Sequence, residues 1–241
     1  MTYLSRIYLK DERPEDFPFN LPVFKNGLNL VLKTNVTFFV GENGTGKSTL
    51  MESIADKCDF NLSGGNRNHN YDFHKTESVL SEYLTLSWRT KINEGFFMRA
   101  ESFFNFATYI DEVSTRDIRV LDAYGGKSLH KQSHGEAFLA LFHNHFEKGI
   151  YILDEPESAL SPQRQLSLLS IIRALEKTGK AQFIISTHSP ILLSYPGATI
   201  YSLDHNMEPI NYKDTEHFQI TKNFLNSPDL FFRHLFNDDD I

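Results

Sequence analysis

Cysteine is nearly absent from this sequence of 241 residues, where Cys58 stands alone. A lone cysteine forms no internal disulfide, and such usage fits a reducing compartment. Missing too is any apolar run near the ~20 residues that a bilayer-spanning helix needs. The first ten residues mix charge with β-forming side chains and show no secretory leader pattern. Positive charge is short, with 24 Lys and Arg against 31 Asp and Glu and a net charge of −7. That argues against a broadly basic nucleic-acid surface, though not against a local basic groove. Neither an internal repeat nor a heptad run is present, so no coiled coil is expected. Together these absences predict a cytoplasmic protein without membrane segments.

Aromatic side chains are plentiful, with 21 Phe and 10 Tyr. A chain of this length buries a full core as one domain over 1–241, with residues 60–128 forming a small inserted lobe. Alternation predicts strands over Tyr3–Leu9 and Asn29–Lys33, giving a β-rich N-terminal edge. Leu84–Trp88 and Phe96–Arg99 read as two further strands joined by a turn through Asn93-Glu94-Gly95. From Ser133 the pattern is α/β: helix 134–147, strand 150–153, helix 162–177, strand 182–186, a short helix near 190–194 and strand 199–203. Two helical stretches follow within Glu216–Phe236, and the acidic end, Asn237–Ile241, is expected to fray.

The most informative stretch is Gly41-Glu42-Asn43-Gly44-Thr45-Gly46-Lys47-Ser48-Thr49. Val36–Val40 supplies an apolar strand before it, and Leu50, Met51 and Ile54 open a helical pattern after it. This is the strand–loop–helix context of a P-loop. Glycines let successive backbone N–H groups point inward at phosphate oxygens, and the helix adds its positive end. Lys47 would reach the β- and γ-phosphates, and the Ser48 hydroxyl would hold Mg²⁺. A glycine turn with an ordinary surface lysine is the competing reading.

Three further motifs lie downstream. Tyr151-Ile152-Leu153-Asp154-Glu155-Pro156 is an apolar strand ending in two acids, where an α/β sheet presents its ligand-binding groups. Asp154 fits an aspartate holding the Mg²⁺ shell, and Glu155 a carboxylate accepting a proton from the attacking water. A solvated acidic turn is the alternative. Ser133-His134-Gly135-Glu136 has capping-box spacing, so a helix starts there; an anion site at its N-terminus and a plain core helix are both compatible with that. Ile184-Ile185-Ser186-Thr187-His188-Ser189-Pro190 carries a histidine at a strand end, placed to bond a γ-phosphate oxygen. Alone, such a histidine is usually structural.

In this order the motifs resemble those of the ABC-type ATPases, and most of all the soluble SMC/RecF-like branch with its small bacterial predicted ATPases. The resemblance covers Asn35–Ser53 and Leu129–Asp204; residues 60–128 match loosely. It implies a mixed central sheet flanked by helices, ATP and Mg²⁺ as ligands, and two copies joined head to tail by ATP. Ser133, Gly135 and Glu136 of one copy would then face the γ-phosphate held by the other. Ser158-Ala159-Leu160-Ser161 resembles the loop that crosses the dimer centre, with Ser161 where the family commonly has Asp. His188 matches the family's switch histidine.

Two departures stand out. Leu62-Ser63-Gly64-Gly65 spells most of the ABC signature, but too close behind the P-loop and with no helical pattern after it, so it reads as a loop. The family's metal-side glutamine is not evident. Glu101, just past a strand end, is a candidate to ligand Mg²⁺ or its water; a surface carboxylate is the competing reading. The expected function is Mg-dependent ATP hydrolysis by an ATP-gated dimer switch, with DNA maintenance or phage defence beside a protein effector as the roles the branch suggests. A transporter's ATP-binding subunit and a low-turnover partner-binding module are the alternatives.

Overall fold

The computed structural model describes residues 2–67 and 78–236. The segment after the Leu62–Gly65 loop is described as far as Arg67, and the acidic end beyond Phe236 lies outside the described residues.

The N-terminal half runs β1 (Leu4–Leu9), α1 (Pro22–Lys25), β2 (Asn29–Val31), β3 (Val36–Val40), α2 (Lys47–Lys57), α3 (Val79–Tyr83), β4 (Leu84–Trp88), β5 (Gly95–Arg99) and α4 (Phe103–Ser114). Then follow α5 (His134–His145), β6 (Gly149–Asp154), α6 (Pro162–Lys177), β7 (Ala181–Ser186), α7 (Pro190–Leu193), β8 (Thr199–Ser202), β9 (Glu208–Pro209), α8 (Glu216–Asn226) and α9 (Pro228–Leu235). Short 3₁₀ turns at Ile118–Tyr124 and Leu129–Lys131 lie between α4 and α5.

Six strands form the central sheet in the order β5-β6-β7-β3-β8-β9, all parallel except the last pair. Every residue of β3, β6 and β7 is buried, as a parallel sheet covered on both faces requires. The pleat sorts their side chains. Phe38, Tyr151, Leu153, Phe183 and Ile185 enter one core with α4, α5 and α6. Phe39, Ile150, Ile152 and Ile184 enter the other, with α2 and the N-terminal strands. Phenylalanines thread the first core; Phe103 meets Phe138, and Phe142 meets Phe146, which stacks on Tyr151 at 4.0 Å between centroids.

A second sheet of three antiparallel strands, β2-β1-β4, lies over the other core. β4 and β5 do not form the hairpin suggested by the Asn93–Gly95 turn. β4 pairs with β1, while β5 crosses to the central sheet and runs parallel to β6. The signature-like Leu62–Gly65 segment is a loop, as its lack of helical pattern implied. Gly65 exchanges two backbone hydrogen bonds with Phe97, 2.8 and 2.9 Å, along the edge of β5. Among the described residues no helix is long and apolar enough to cross a membrane.

Candidate functional site

The strand order places β7 between β3 and β6, so the loops after all three meet at one sheet edge. The loop after β3 is the Gly41–Gly46 turn. Gly46 has φ +100°, and a Cβ there would sit 3.0 Å from the Phe24 ring, so the position needs glycine twice over. Lys47 opens α2 and is 5 % exposed. Its ammonium donates to the carbonyls of Gly41 (2.6 Å) and Glu42 (2.9 Å). Burial lowers the Lys47 pKa, while Glu155, Asp204, Asp154 and Glu42 pull it upward. Thr45 braces the turn by donating its hydroxyl to the Glu42 carbonyl at 2.8 Å, and the Glu42 N–H donates to Asp204 at 3.2 Å. A cavity of about 210 Å³ opens over Asn43, Gly44, Gly46, Lys47, Ser48 and Thr49, and Glu155 also lines it. Phe17, 66 % exposed, also lines it, whereas Phe19 is buried in the core.

A neighbouring cavity of about 310 Å³ holds Ser48, Asp154, Glu155 and Glu101. Asp154 ends β6 and is 2 % exposed. One of its oxygens accepts from the Ser186 hydroxyl, the other from Arg99 Nε at 3.0 Å. Arg99 also pairs with Glu52. Burial by itself would lower the Arg99 pKa, but Asp154 and Glu52 outweigh it and leave it raised. One hydroxyl and one carboxylate are the donor set expected where Mg²⁺ is completed by water and phosphate. Among the described residues no group of three or more His, Cys, Asp and Glu could cage a metal alone. Ser48 and Asp154 therefore fit the ion. Glu101 lies on the same cavity and is exposed. Arg99, two residues before it, is one of the groups not singled out from the sequence; a charged residue closing a buried strand is its local signal.

Glu155, like Ser48, lines both cavities. Its backbone is left-handed, φ 49°, a conformation costing a non-glycine residue about 1 kcal/mol or more. The loop is held by the Glu155 N–H donating to the Ser186 carbonyl at 3.1 Å. His188, past the end of β7, brings Nε2 to 3.3 Å from Glu155 Oε1. The His188 backbone N–H donates to Glu157 at 2.6 Å, and its Nδ1 lies 2.7 Å from Nε2 of His217 on α8. Burial raises the Glu157 pKa, while the His188 N–H bond works against that rise. Burial also lowers the His217 pKa, helped by His188.

Ser133, Gly135 and Glu136 line neither cavity. They form the N-terminus of α5, where the Glu136 carboxylate accepts from the Ser133 N–H (3.1 Å) and hydroxyl (2.7 Å). These bonds lower the Glu136 pKa. Arg164 of α6 donates to the Ser133 hydroxyl at 2.8 Å and pairs with Glu136 at 3.1 Å. A Cβ on Gly135 would lie 2.5 Å from the Arg164 guanidinium, so glycine admits that approach. Ser161 caps α6 by accepting the Arg164 N–H at 3.4 Å, which gives it local work where the resemblance would place an aspartate.

Fold and site together define an ABC-type P-loop architecture. The likeness to known proteins runs the same way. A family model described as "AAA domain, putative AbiEii toxin, Type IV TA system" matches residues 136–194, from the helix after Ser133 to just past His188. A structure described as "An inward-facing conformation of a putative metal-chelate type ABC transporter" superposes with a TM-score of 0.51 at 14% identity, covering 91% of this chain and 88% of that one. The SMC head domain from Thermotoga maritima gives 0.47 at 17%, with coverage of 83% and 94%. CbiO1 from Clostridium perfringens, part of an ABC transporter complex, gives 0.48 at 17%, with coverage of 93% and 96%. No curated protein matches the sequence. At 14% identity the likeness to the ABC transporter structure speaks to the fold alone.

Proposed function

We propose that this chain binds ATP with Mg²⁺ and hydrolyses it, and that two copies close head to tail around the nucleotide. The observation that carries the reading is Glu155, which faces both the P-loop cavity and the Ser48–Asp154 cavity and lies 3.3 Å from His188. A carboxylate there is within reach of a water aimed at a γ-phosphate held by Lys47.

Lys47 and the loop N–H groups neutralise the triphosphate, exchanging the Gly41 and Glu42 carbonyls for phosphate oxygens. Ser48 and Asp154 would hold Mg²⁺, which would supply positive charge against the triphosphate. Glu155 orients the water, and His188 donates to the γ-phosphate. Positioning and charge stabilisation supply the catalysis. Ser133, lying outside both cavities of its own chain, serves the site of the second copy, which also needs Gly135 and Glu136 to shape the helix start. Loss of the γ-phosphate then releases the pair.

Glu155→Gln is expected to bind ATP, lose phosphate release and accumulate as a dimer on size-exclusion chromatography. Hydrolysis at the wild-type rate would remove Glu155 from its role. Lys47→Ala is expected to lose ATP binding, and unchanged affinity would overturn the P-loop assignment.

The wider role stays with the compact SMC-like branch, in DNA maintenance or phage defence beside an effector such as a nuclease. The toxin–antitoxin description of the matching family model favours defence. Salt-dependent DNA binding with ATP present would favour maintenance instead. A transporter subunit would require co-fractionation with a permease, and a low-turnover binding module would show ATP-dependent dimers without phosphate release.

A further inference from the structure

His217 has no part in the chemistry above, yet it touches the switch histidine directly. It is the second residue of α8, and its Nε2 lies 2.7 Å from Nδ1 of His188. The rings are tilted by 51° with centroids 4.8 Å apart, so the contact is made edge to edge by nitrogen atoms and not by stacking. Between two imidazole nitrogens at that distance, one carries the proton and the other offers its lone pair. Two N–H groups head-on would repel.

The other nitrogen of His188 decides the polarity. Nε2 is buried without a hydrogen-bond partner and faces Glu155 Oε1 at 3.3 Å. If a neutral His188 donated from Nδ1, Nε2 would turn a lone pair toward a carboxylate. If His217 donates from Nε2, His188 keeps its proton on its own Nε2, facing Glu155, which lines the P-loop cavity. Burial lowers the His217 pKa, with His188 and Lys47 acting in the same sense and Glu42 and Asp204 opposing, which favours a neutral His217 with a single ring proton to give.

We propose that His217 is a positioning residue: its Nε2–H holds His188 in the tautomer whose Nε2–H donates to the γ-phosphate. A ring nitrogen's partner sets the tautomer at the opposite nitrogen, as with histidines oriented by an outer carboxylate or carbonyl. The inference rests on the ATPase reading for its consequence, but not for the tautomer itself.

The test joins ¹⁵N–¹H long-range correlation spectra of the nucleotide-free full chain near neutral pH to steady-state ATPase assays. Wild-type His188 is expected to show a protonated Nε2 and a lone pair on Nδ1. In His217→Ala the Nδ1-protonated form appears, kcat falls roughly tenfold or more, and KM for ATP moves less than about twofold. His217→Gln, whose side-chain amide donates from a similar reach, restores the tautomer and most of kcat. A protonated Nδ1 in wild-type His188, or full kcat in His217→Ala, would overturn the proposal. A wild-type chain with the expected tautomer and no phosphate release would remove the ATPase reading while leaving the His217 contact in place.

Discussion

Glu157 ties the loop after β6 to the loop after β7, because its buried carboxyl accepts the His188 backbone N–H. Its folded pKa is raised, chiefly by burial, so the protonated form is favoured in the fold. Its contribution is therefore fully present below the unfolded value near 4.5 and is lost as pH rises through the folded value. Glu157→Gln, which keeps an acceptor and removes the charge, is expected to raise the melting temperature at pH 7 and to lose that advantage in acid. A lower melting temperature at pH 7 would show that the charge itself is needed. Arg99 gives a second prediction at this scale, since it binds the Asp154 carboxylate that the metal would need. Arg99→Ala should lower the Mg²⁺ concentration for half-maximal turnover; a higher requirement would make Arg99 a helper of the ion and not its competitor. Lys47, Ser48, Asp154 and Glu155 were legible in the sequence because each sits in a contiguous motif. Arg99, Glu157, Arg164 and His217 were not. Arg99 meets Asp154 across 55 positions and His217 meets His188 across 29, so no local pattern records the pairing.

Elements read best where their ends carry their own chemistry. Helix α6 matches the expected 162–177, with the Ser161 cap and Pro162 at one end and Gly179, φ +69°, just past the other. Strands β3, β6 and β7 read as continuous apolar runs because both faces are covered. What failed was the partnership of β4 and β5, adjacent in sequence but placed in different sheets. β5 finds its partner in β6, beyond a whole helical segment, and apolar runs do not announce such a partner. The two sheets are joined by Gln182 of β7. Its side-chain oxygen accepts the Tyr3 and Leu4 N–H groups at 2.8 and 2.9 Å, and its amide donates to the Leu4 carbonyl at 2.9 Å. Gln182 is fully buried, so Gln182→Leu leaves three backbone groups without partners. Each such group costs about 1–3 kcal/mol when buried, and urea denaturation should show a clear fall in midpoint with an unchanged slope. An unchanged midpoint would mean that the N-terminal sheet is held by its apolar contacts alone.

At the scale of the whole molecule, the proposed function divides the nucleotide site into two halves carried on separate parts of the chain. Lys47, Ser48, Asp154 and Glu155 line the cavities at the P-loop, with His188 3.3 Å from Glu155, whereas Ser133 and Glu136, braced by Arg164, line neither cavity. The most direct test is complementation between Lys47→Ala, which spoils the P-loop, and Ser133→Arg, which spoils the opposing helix start. Each variant alone is expected to release no phosphate from ATP. Mixed, they form pairs in which one site has an intact P-loop facing an intact Ser133, and phosphate release should return. A mixture as inactive as its components, or full activity in Ser133→Arg alone, would contradict a site shared between two copies.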